Sequence, residues 1–405
     1  MYIGHKIGRE FDVAVIGGGP SGCAAAIAAA RRGASVLLAE KEYCLGGMWT
    51  SGLVAPVFDC ENKGGILAEI ISDLRDKGCF GGFWGKSFNF EYMKVLLEEK
   101  CLKAGAAVLL DTCFLDVLKE GNRAAGVYVK NTDGITYYGC DVLIDASGDA
   151  EAVRSMGARV FAGEDGNVKA CQAMTLMFLI GGVPQKYADG LVIYDVVEKA
   201  FEKEEKGNRL NFDMPYLIPI PNSDMALIQL THMYGYSPLS AADRTAATIE
   251  GRRQMVTVFE ALKNYDEDFA DSYLITSANV LGVRESVRID GEYCLTDDDI
   301  LSGAKFEDAV TTVTFGADFH NGDTEKQKCF EVKPYQIPFR AMLPKGTENI
   351  IVAGKTISGS RAALASYRVT GNCCAMGEAA GNTAAYAALN GMNIREAFED
   401  MRGRV

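Results

Sequence analysis

Asp12-Val-Ala-Val-Ile-Gly17-Gly-Gly19-Pro20-Ser21-Gly22 is the stretch whose reading decides the fold. A short β-run ends in glycines spaced Gly17-x-Gly19-x-x-Gly22, the pattern of a loop that cradles a dinucleotide pyrophosphate. Gly17 permits the tight turn out of the strand, Gly19 lets backbone N–H groups approach the phosphates, and Gly22 lets the next helix pack close to the sheet. The helix N-terminus then offers unpaired N–H groups and partial positive charge to the anion. Working outward, Ala24 to Arg32 reads as an Ala-rich helix closed by Gly33, and Ala34 to Ala39 as an apolar strand ending at Glu40. Glu40 lies near the ~20-residue distance from the last glycine at which an acid meets a ribose hydroxyl.

The residues after Glu40 separate one dinucleotide from another. Glu40-Lys41 is followed by Cys44-Leu-Gly46-Gly47-Met48-Trp49-Thr50-Ser51, which resembles the FAD-dependent oxidoreductases of the glutathione-reductase-like superfamily, in the two-glycine, fumarate-reductase-like group. There a glycine pair lines the path to the flavin, since a missing Cβ lets main chain lie against pyrophosphate and ring. Asp145-Ala146-Ser147-Gly148-Asp149 resembles the late strand of that superfamily, with Ser147 in place of the usual threonine. Gly354-Lys355, then Ser366-Tyr-Arg368-Val369-Thr-Gly371-Asn372 and Gly377-Glu-Ala-Ala-Gly381, resemble the C-terminal flavin-binding signature of one largely uncharacterised branch. The resemblance covers nearly the whole chain and is weakest in the middle. It implies an α/β fold: a Rossmann-like FAD-binding domain of glutathione-reductase type, with a β-meander and an inserted α+β substrate domain. It also implies that these segments, together with Cys113 on the strand around Thr112 to Leu115, bind the cofactor.

Composition agrees with a globular enzyme of two domains. The 405 residues are 48% hydrophobic and carry a formal charge of −13. So acidic a surface argues against sequence-independent nucleic-acid binding and against an anionic membrane. Neither a secretory signal nor a run of the ~18 apolar residues needed to cross a membrane is visible. Twelve cysteines without a Cys-x-x-Cys predict a reducing, cytoplasmic setting and exclude a dithiol redox motif and a zinc or iron–sulfur framework. Cys373-Cys374 reads as small residues packed beside the cofactor, and Cys44 as a candidate for covalent flavin attachment or, alternatively, an inert buried thiol.

The organisation is discontinuous. Phe90 to Gly105 reads as a helix, while Val108 to Leu118, Ala125 to Asn131 and Ile135 to Ile144 read as a meander with Asp133-Gly134 as a hairpin turn. Residues 1–156 and 334–405 are assigned to the FAD-binding domain, and 157–333 to a substrate domain with strands at Ala173 to Ile180 and Met225 to Thr231 and a helix from Ala241 to Tyr265. The cofactor domain closes with an Ala-rich helix from about Asn372 to Asn390. No second Gly-x-Gly-x-x-Gly follows a strand, so electrons are expected to arrive or leave by substrate exchange, by a nicotinamide nucleotide docking without a Rossmann loop, or through a redox partner.

FAD would supply the electron chemistry, leaving the protein to orient a small-molecule substrate and manage a proton. His320, in Asp318-Phe-His320-Asn321, is the leading candidate for proton handling, since imidazole titrates near neutrality and Asp318 can orient it. His232 is the weaker candidate and His5 lies in the tail. The resemblance further implies that Tyr335 and Arg340, in Tyr335-Gln-Ile-Pro-Phe-Arg340, approach the flavin edge. Arg284, Arg288, Arg340, Arg361 and Arg368 form a set that could clamp a carboxylate bidentately. Arg361 stands where the branch often has histidine, which favours anion binding there over proton exchange. Trp49 and Met48 are candidates for walling the flavin, with core packing as the alternative. The expected reaction is hydride transfer between flavin and a small organic substrate; a flavin monooxygenase and a flavin-carrying electron-transfer subunit are the alternatives.

Overall fold

A computed structural model describes residues 6–187, 216–320 and 328–403. His5 and Asn321 lie outside the described residues. The organising element is the long strand Gly134–Asp145, which serves two sheet systems at once. Its first half pairs antiparallel with Arg123–Asn131, which in turn pairs with Cys113–Glu120, giving the predicted meander. Its second half runs parallel to Phe11–Ile16 and to Ile350–Val352, and the parallel sheet continues through Val36–Ala39 to Ala107–Leu109. The register sets Ile16 beside both Asp145 and Ala39, and Asp145 beside Val352. The residues that follow these four strands therefore emerge at one carboxyl edge, where open α/β sheets bind their ligands.

The reading of Val108 to Leu118 as one strand is corrected. The chain leaves the parallel sheet at Leu109, passes Asp111 with φ of 49°, and re-enters as the meander strand at Cys113. Likewise Ala173 to Ile180 divides into Met174–Thr175 and Phe178–Gly181, which pair with different partners. The helices Phe90–Ala104 and Ala241–Tyr265 match expectation and start at the side-chain caps Asn89 and Ser240.

The first helix, Pro20–Arg31, lies against Thr370–Asn390 with backbones nearly touching. A Cβ at Gly377 would overlap the Ser21 carbonyl, and one at Gly381 the Ala25 carbonyl. Alanines at 24, 25, 26, 28 and 29 on the first helix keep the seam narrow and are buried. A second sheet, antiparallel, orders Tyr216–Pro219, Ala226–Gln229, Phe178–Gly181 and Tyr273–Ser277. Its alternating side chains serve two cores, as a period of two requires. Phe178, Ile180, Leu217 and Ile228 pack with Met255, Val258 and Leu262 of the long helix. Leu179, Ile218 and Leu227 point the other way and join the main core.

The helix seam yields a stability prediction. Gly381→Val forces the two helices apart and should cost ~1–3 kcal/mol or more, read as a fall in the urea midpoint; an unchanged midpoint would show that the seam has room to spare.

Candidate functional site: two adjoining cavities

At the carboxyl edge of the parallel sheet, a cavity of about 330 Å³ is lined by Gly17, Gly19, Pro20 and Ser21 from the glycine loop. The wall continues through Glu40 and Lys41 after the second strand, and through Ala146, Gly148 and Asp149 after the long one. Gly47 and Met48 of the glycine-pair segment, Cys113 on the meander, and Gly354 and Arg368 near the C-terminus complete the predicted set that meets here. Gly17 turns with φ of 96°, and a Cβ on it would press against the Ala146 carbonyl. Gly19 differs: its φ of −72° suits any residue, but a Cβ there would meet nothing within 4 Å and would project into open space.

Other predicted residues act from behind this wall. Gly22 permits the helix to cross the loop, since a Cβ would overlap the Gly17 carbonyl. Gly46 takes φ of 106° before the turn, and the Thr50 hydroxyl donates to the Leu45 carbonyl at 2.6 Å, bracing it. Ser51 lies 3.3 Å from Cys44 Sγ, and Cys44 is absent from the cavity lining. Trp49 is fully buried, edge-on to Phe88, and is a core residue, whereas Met48 reaches the cavity. Ser366 links the Tyr335 hydroxyl to the Phe315 carbonyl. Gly371 lies against the Phe58 and Asp59 carbonyls, and Asn372 is fully buried. Cys373 lines the cavity while Cys374 faces the core.

Beyond the first cavity lies a second, of about 170 Å³. Met48, Val283, Lys355, Arg368 and Thr370 line both. Val369 joins the second, as do Phe58, Phe315, Met177 and Gln229. Its charged residues are Arg284, Arg368, Lys355 and Asp318, with His320 alongside. His320 Nε2 lies 3.0 Å from Asp318 Oδ2, and His320 Nδ1 lies 2.9 Å from His232 Nε2. His232 Nδ1 continues the chain to the Leu230 carbonyl at 3.1 Å. Burial, then the charge of Arg284, pushes His320 down to about 4 despite the pull of Asp318. For Asp318 burial acts upward, but its hydrogen bond to His320 and the nearby arginines hold it well below the usual carboxylate range. Burial pushes Lys355 down to about 8, with the charge of Asp149 opposing it.

Tyr335 and Arg340, expected at the flavin edge, and Arg361, expected to bind an anion, are placed elsewhere. Tyr335 is fully buried, its hydroxyl held at 3.0 Å from Ser366 Oγ. Arg340 points to the protein surface, ion-paired to Asp308 at 2.9 Å and set over Tyr293. Arg361 pairs with Glu285 and Glu164. None of the three lines either cavity, and each is occupied by a protein partner. Arg288 is likewise buried against Glu285.

The sequence reading left Arg244, Val280, Leu281 and Val283 out of the cofactor wall, and carried Phe114, Thr370 and Lys355 only as parts of quoted segments. Arg244 projects from the helix Ala241–Tyr265 to Asp149 at 2.7 Å. Nothing local in an exposed-looking helix marks that contact. Lys355 had a readable signal, since it directly follows the glycine at the end of a buried strand.

A family model described as FAD dependent oxidoreductase matches residues 12–399. The chain belongs to that family. Among curated relatives, a digeranylgeranylglycerophospholipid reductase 1 from Methanopyrus kandleri is 30% identical over 154 residues, 34% of this chain and 40% of that protein. A thiamine thiazole synthase from Methanococcus aeolicus is 28% identical over 160 residues, 37% of this chain and 59% of its own. This oxidoreductase thus spans about half the length of the curated relatives it matches. Among solved structures, a geranylgeranyl bacteriochlorophyll reductase-like protein from Thermoplasma acidophilum aligns with a TM-score of 0.53 at 16% identity, over 98% of this chain and 84% of its own. The flavin-dependent brominase Bmp2 aligns at 0.54 and 16%, over 97% and 83%. Both likenesses show the fold.

FAD is the cofactor of this oxidoreductase, and the first cavity fits it. The glycine loop leaves open space at Gly19 and a helix N-terminus behind it, as a pyrophosphate requires. Glu40 accepts the Gly18 and Glu42 N–H groups, one on each oxygen, and a carboxylate retains further lone pairs for ribose hydroxyls. Among the described residues no helix is long and apolar enough to cross a membrane.

Two outcomes follow. Gly19→Val should fold with the thermal midpoint of the FAD-stripped unmodified protein and purify without the visible flavin bands, because its side chain enters only the cofactor space; retention of FAD would show that the loop is not its seat. The histidine chain gives a pH signature. An unfolded imidazole titrates at 6.5 and folded His320 at about 4, so between these values the unfolded chain binds a proton that the folded one declines. Stability from this site is complete above about 6.5 and falls as pH drops towards 4. Thermal midpoints across that window should fall less steeply for His320→Gln than for the unmodified protein.

Proposed function

We propose that this oxidoreductase transfers a hydride between FAD and a small organic substrate held in the second cavity, as a dehydrogenation or the reduction of an activated C=C bond. The observation that carries the reading is the shared wall of Met48, Val283, Lys355, Arg368 and Thr370, which makes the second cavity the adjoining space to the cofactor's. FAD supplies the hydride-transferring centre when bound. The protein supplies position and proton handling. Phe58, Phe315, Met177 and Val283 give the pocket an apolar lining that excludes water and holds a carbon skeleton.

His320 is the proton-handling residue of this reading. Hydrogen bonds across Asp318–His320, His320–His232 and His232–Leu230 need three N–H protons, while two neutral imidazoles carry two. The chain therefore takes up one further proton without losing a contact, becoming a single imidazolium balanced by Asp318. That property suits a relay that passes a proton to or from a substrate by way of Asp318, whose carboxylate lines the same cavity, since both His320 ring nitrogens are already engaged.

The size of the cavity, about 170 Å³, favours a small molecule over a lipid of the kind named for the Methanopyrus relative. Segment 157–333 acts in this reading as the substrate domain, contributing Thr175, Gln229, Arg284 and His320 to the pocket. A nicotinamide nucleotide or a redox protein completes the electron cycle. All twelve cysteines are free, which supports a reducing, cytoplasmic setting.

Anaerobic mixing with a panel of small acids and alcohols should bleach the flavin for the true substrate, and a deuterium at the transferred position should slow the bleaching. His320→Ala should keep FAD while losing ~10²–10⁴-fold in the reductive rate. Full turnover in that variant would remove His320 from the mechanism, and reduction only by a protein partner would replace the hydride reading with electron transfer.

A further inference from the structure

Arg284 occupies a position that a purely structural arginine does not explain. It is enclosed by protein yet keeps surface open to the second cavity. Its Nη1 donates to the Ala173 carbonyl at 2.9 Å and to the Thr175 hydroxyl at 2.5 Å. Both acceptors are neutral, and among the described residues Arg284 forms no salt bridge. The other edge of the guanidinium, Nε–H and Nη2–H₂, has no protein acceptor among the described residues. That edge is the fork that matches the two oxygens of a carboxylate.

The cavity supplies only part of the missing negative charge, the Asp318 carboxylate acting on Arg284 through space without a salt bridge between them. Asp318 is the carboxylate among its lining residues, and it is committed to His320 at 3.0 Å and Arg368 at 3.3 Å. Arg368 and Lys355 add two more cations to the same walls. Burial, followed by the charge of Arg368, pulls the Arg284 guanidinium down to about 9, the mark of a cation short of an anion. Buried charges are ordinarily paired, and leaving one uncompensated is costly. The same cavity also has apolar walls, with Phe58 and Phe315 at 5.5 Å between ring centroids.

We propose that the second cavity is a carboxylate pocket, in which the Nε and Nη2 edge of Arg284 anchors a small organic acid whose apolar body lies against Phe58 and Phe315. This deepens the reading of that cavity as the substrate site and rests on it. Arg284 lines the second cavity and is absent from the lining of the first, which separates its anion from the pyrophosphate of the cofactor.

The test is a binding titration on the FAD-loaded protein, followed by the flavin spectrum and the thermal midpoint. Benzoate is the probe, benzamide its uncharged counterpart, and inorganic phosphate the anion without a body. Benzoate should perturb the spectrum and raise the midpoint, with benzamide far weaker. Arg284→Met should keep FAD and weaken benzoate ~10- to 150-fold, the loss of hydrogen bonds to a charged group, and Arg284→Lys should recover part of it. Equal binding of benzoate and benzamide, response to phosphate alone, or no response to any probe would overturn the proposal. So would loss of FAD from both variants, which would assign the guanidinium to the cofactor. The titration reads binding without turnover, so a benzoate pocket without flavin bleaching by any acid would leave the carboxylate site standing and overturn the hydride reading instead.

Discussion

The backbone contact between the helices Pro20–Arg31 and Thr370–Asn390 is the constraint on which the site depends. Residues more than three hundred and fifty positions apart are brought together because glycines at 377 and 381 remove the side chains that would separate the helices. The consequence reaches beyond packing. Fixing the start of the helix Thr370–Asn390 fixes Arg368 and Thr370 just before and at its first turn, and these line the first cavity together with the glycine loop that opens the helix Pro20–Arg31. The cofactor wall is thus assembled from both ends of the chain, with the parallel sheet pairing Val352 with Asp145 so that Gly354 and Lys355 leave it at the same edge as Ala146.

Much of this was legible because cofactor loops are local. The run Gly17 to Gly22, the acid at Glu40, the pair Gly46-Gly47 and the turn at Ala146 to Asp149 each carry their purpose within a few residues: a turn, a close approach, an N-terminus, an acid at the end of a strand. Substrate walls are different. Arg284 lines its pocket because two short antiparallel pairings, Gly282–Val283 with Met174–Thr175 and Phe178–Gly181 with Tyr273–Ser277, fold its loop over the cavity. No local pattern encodes that. The misplaced residues teach the same lesson from the other side. Tyr335, Arg340 and Arg361 have the right chemistry for a flavin edge, but chemistry in a sequence does not disclose direction. Tyr335 sits on a strand whose pairing with Ala309–Val313 turns its ring into the core, and the arginines meet Asp308, Glu285 and Glu164 before they could meet a ligand.

The two cavities also differ in how charge is handled. In the first, the buried acid Asp149 stands among Lys355 and Arg244, so each sign has its counterpart within the protein. In the second, the single acid is shared between a histidine and an arginine, leaving cationic character for whatever enters. A protein with net charge −13 therefore keeps a small interior region of the opposite sign, with low-dielectric walls that strengthen its field.

The common wall has a thermodynamic corollary. Met48, Val283, Lys355, Arg368 and Thr370 touch the space of both ligands, so neither cavity can rearrange these side chains alone. Whatever factor a molecule in the second cavity imposes on the affinity for FAD, FAD must impose on that molecule, because coupling free energies are reciprocal. Retention of the cofactor and selection of the substrate are then one property of the protein measured from two directions.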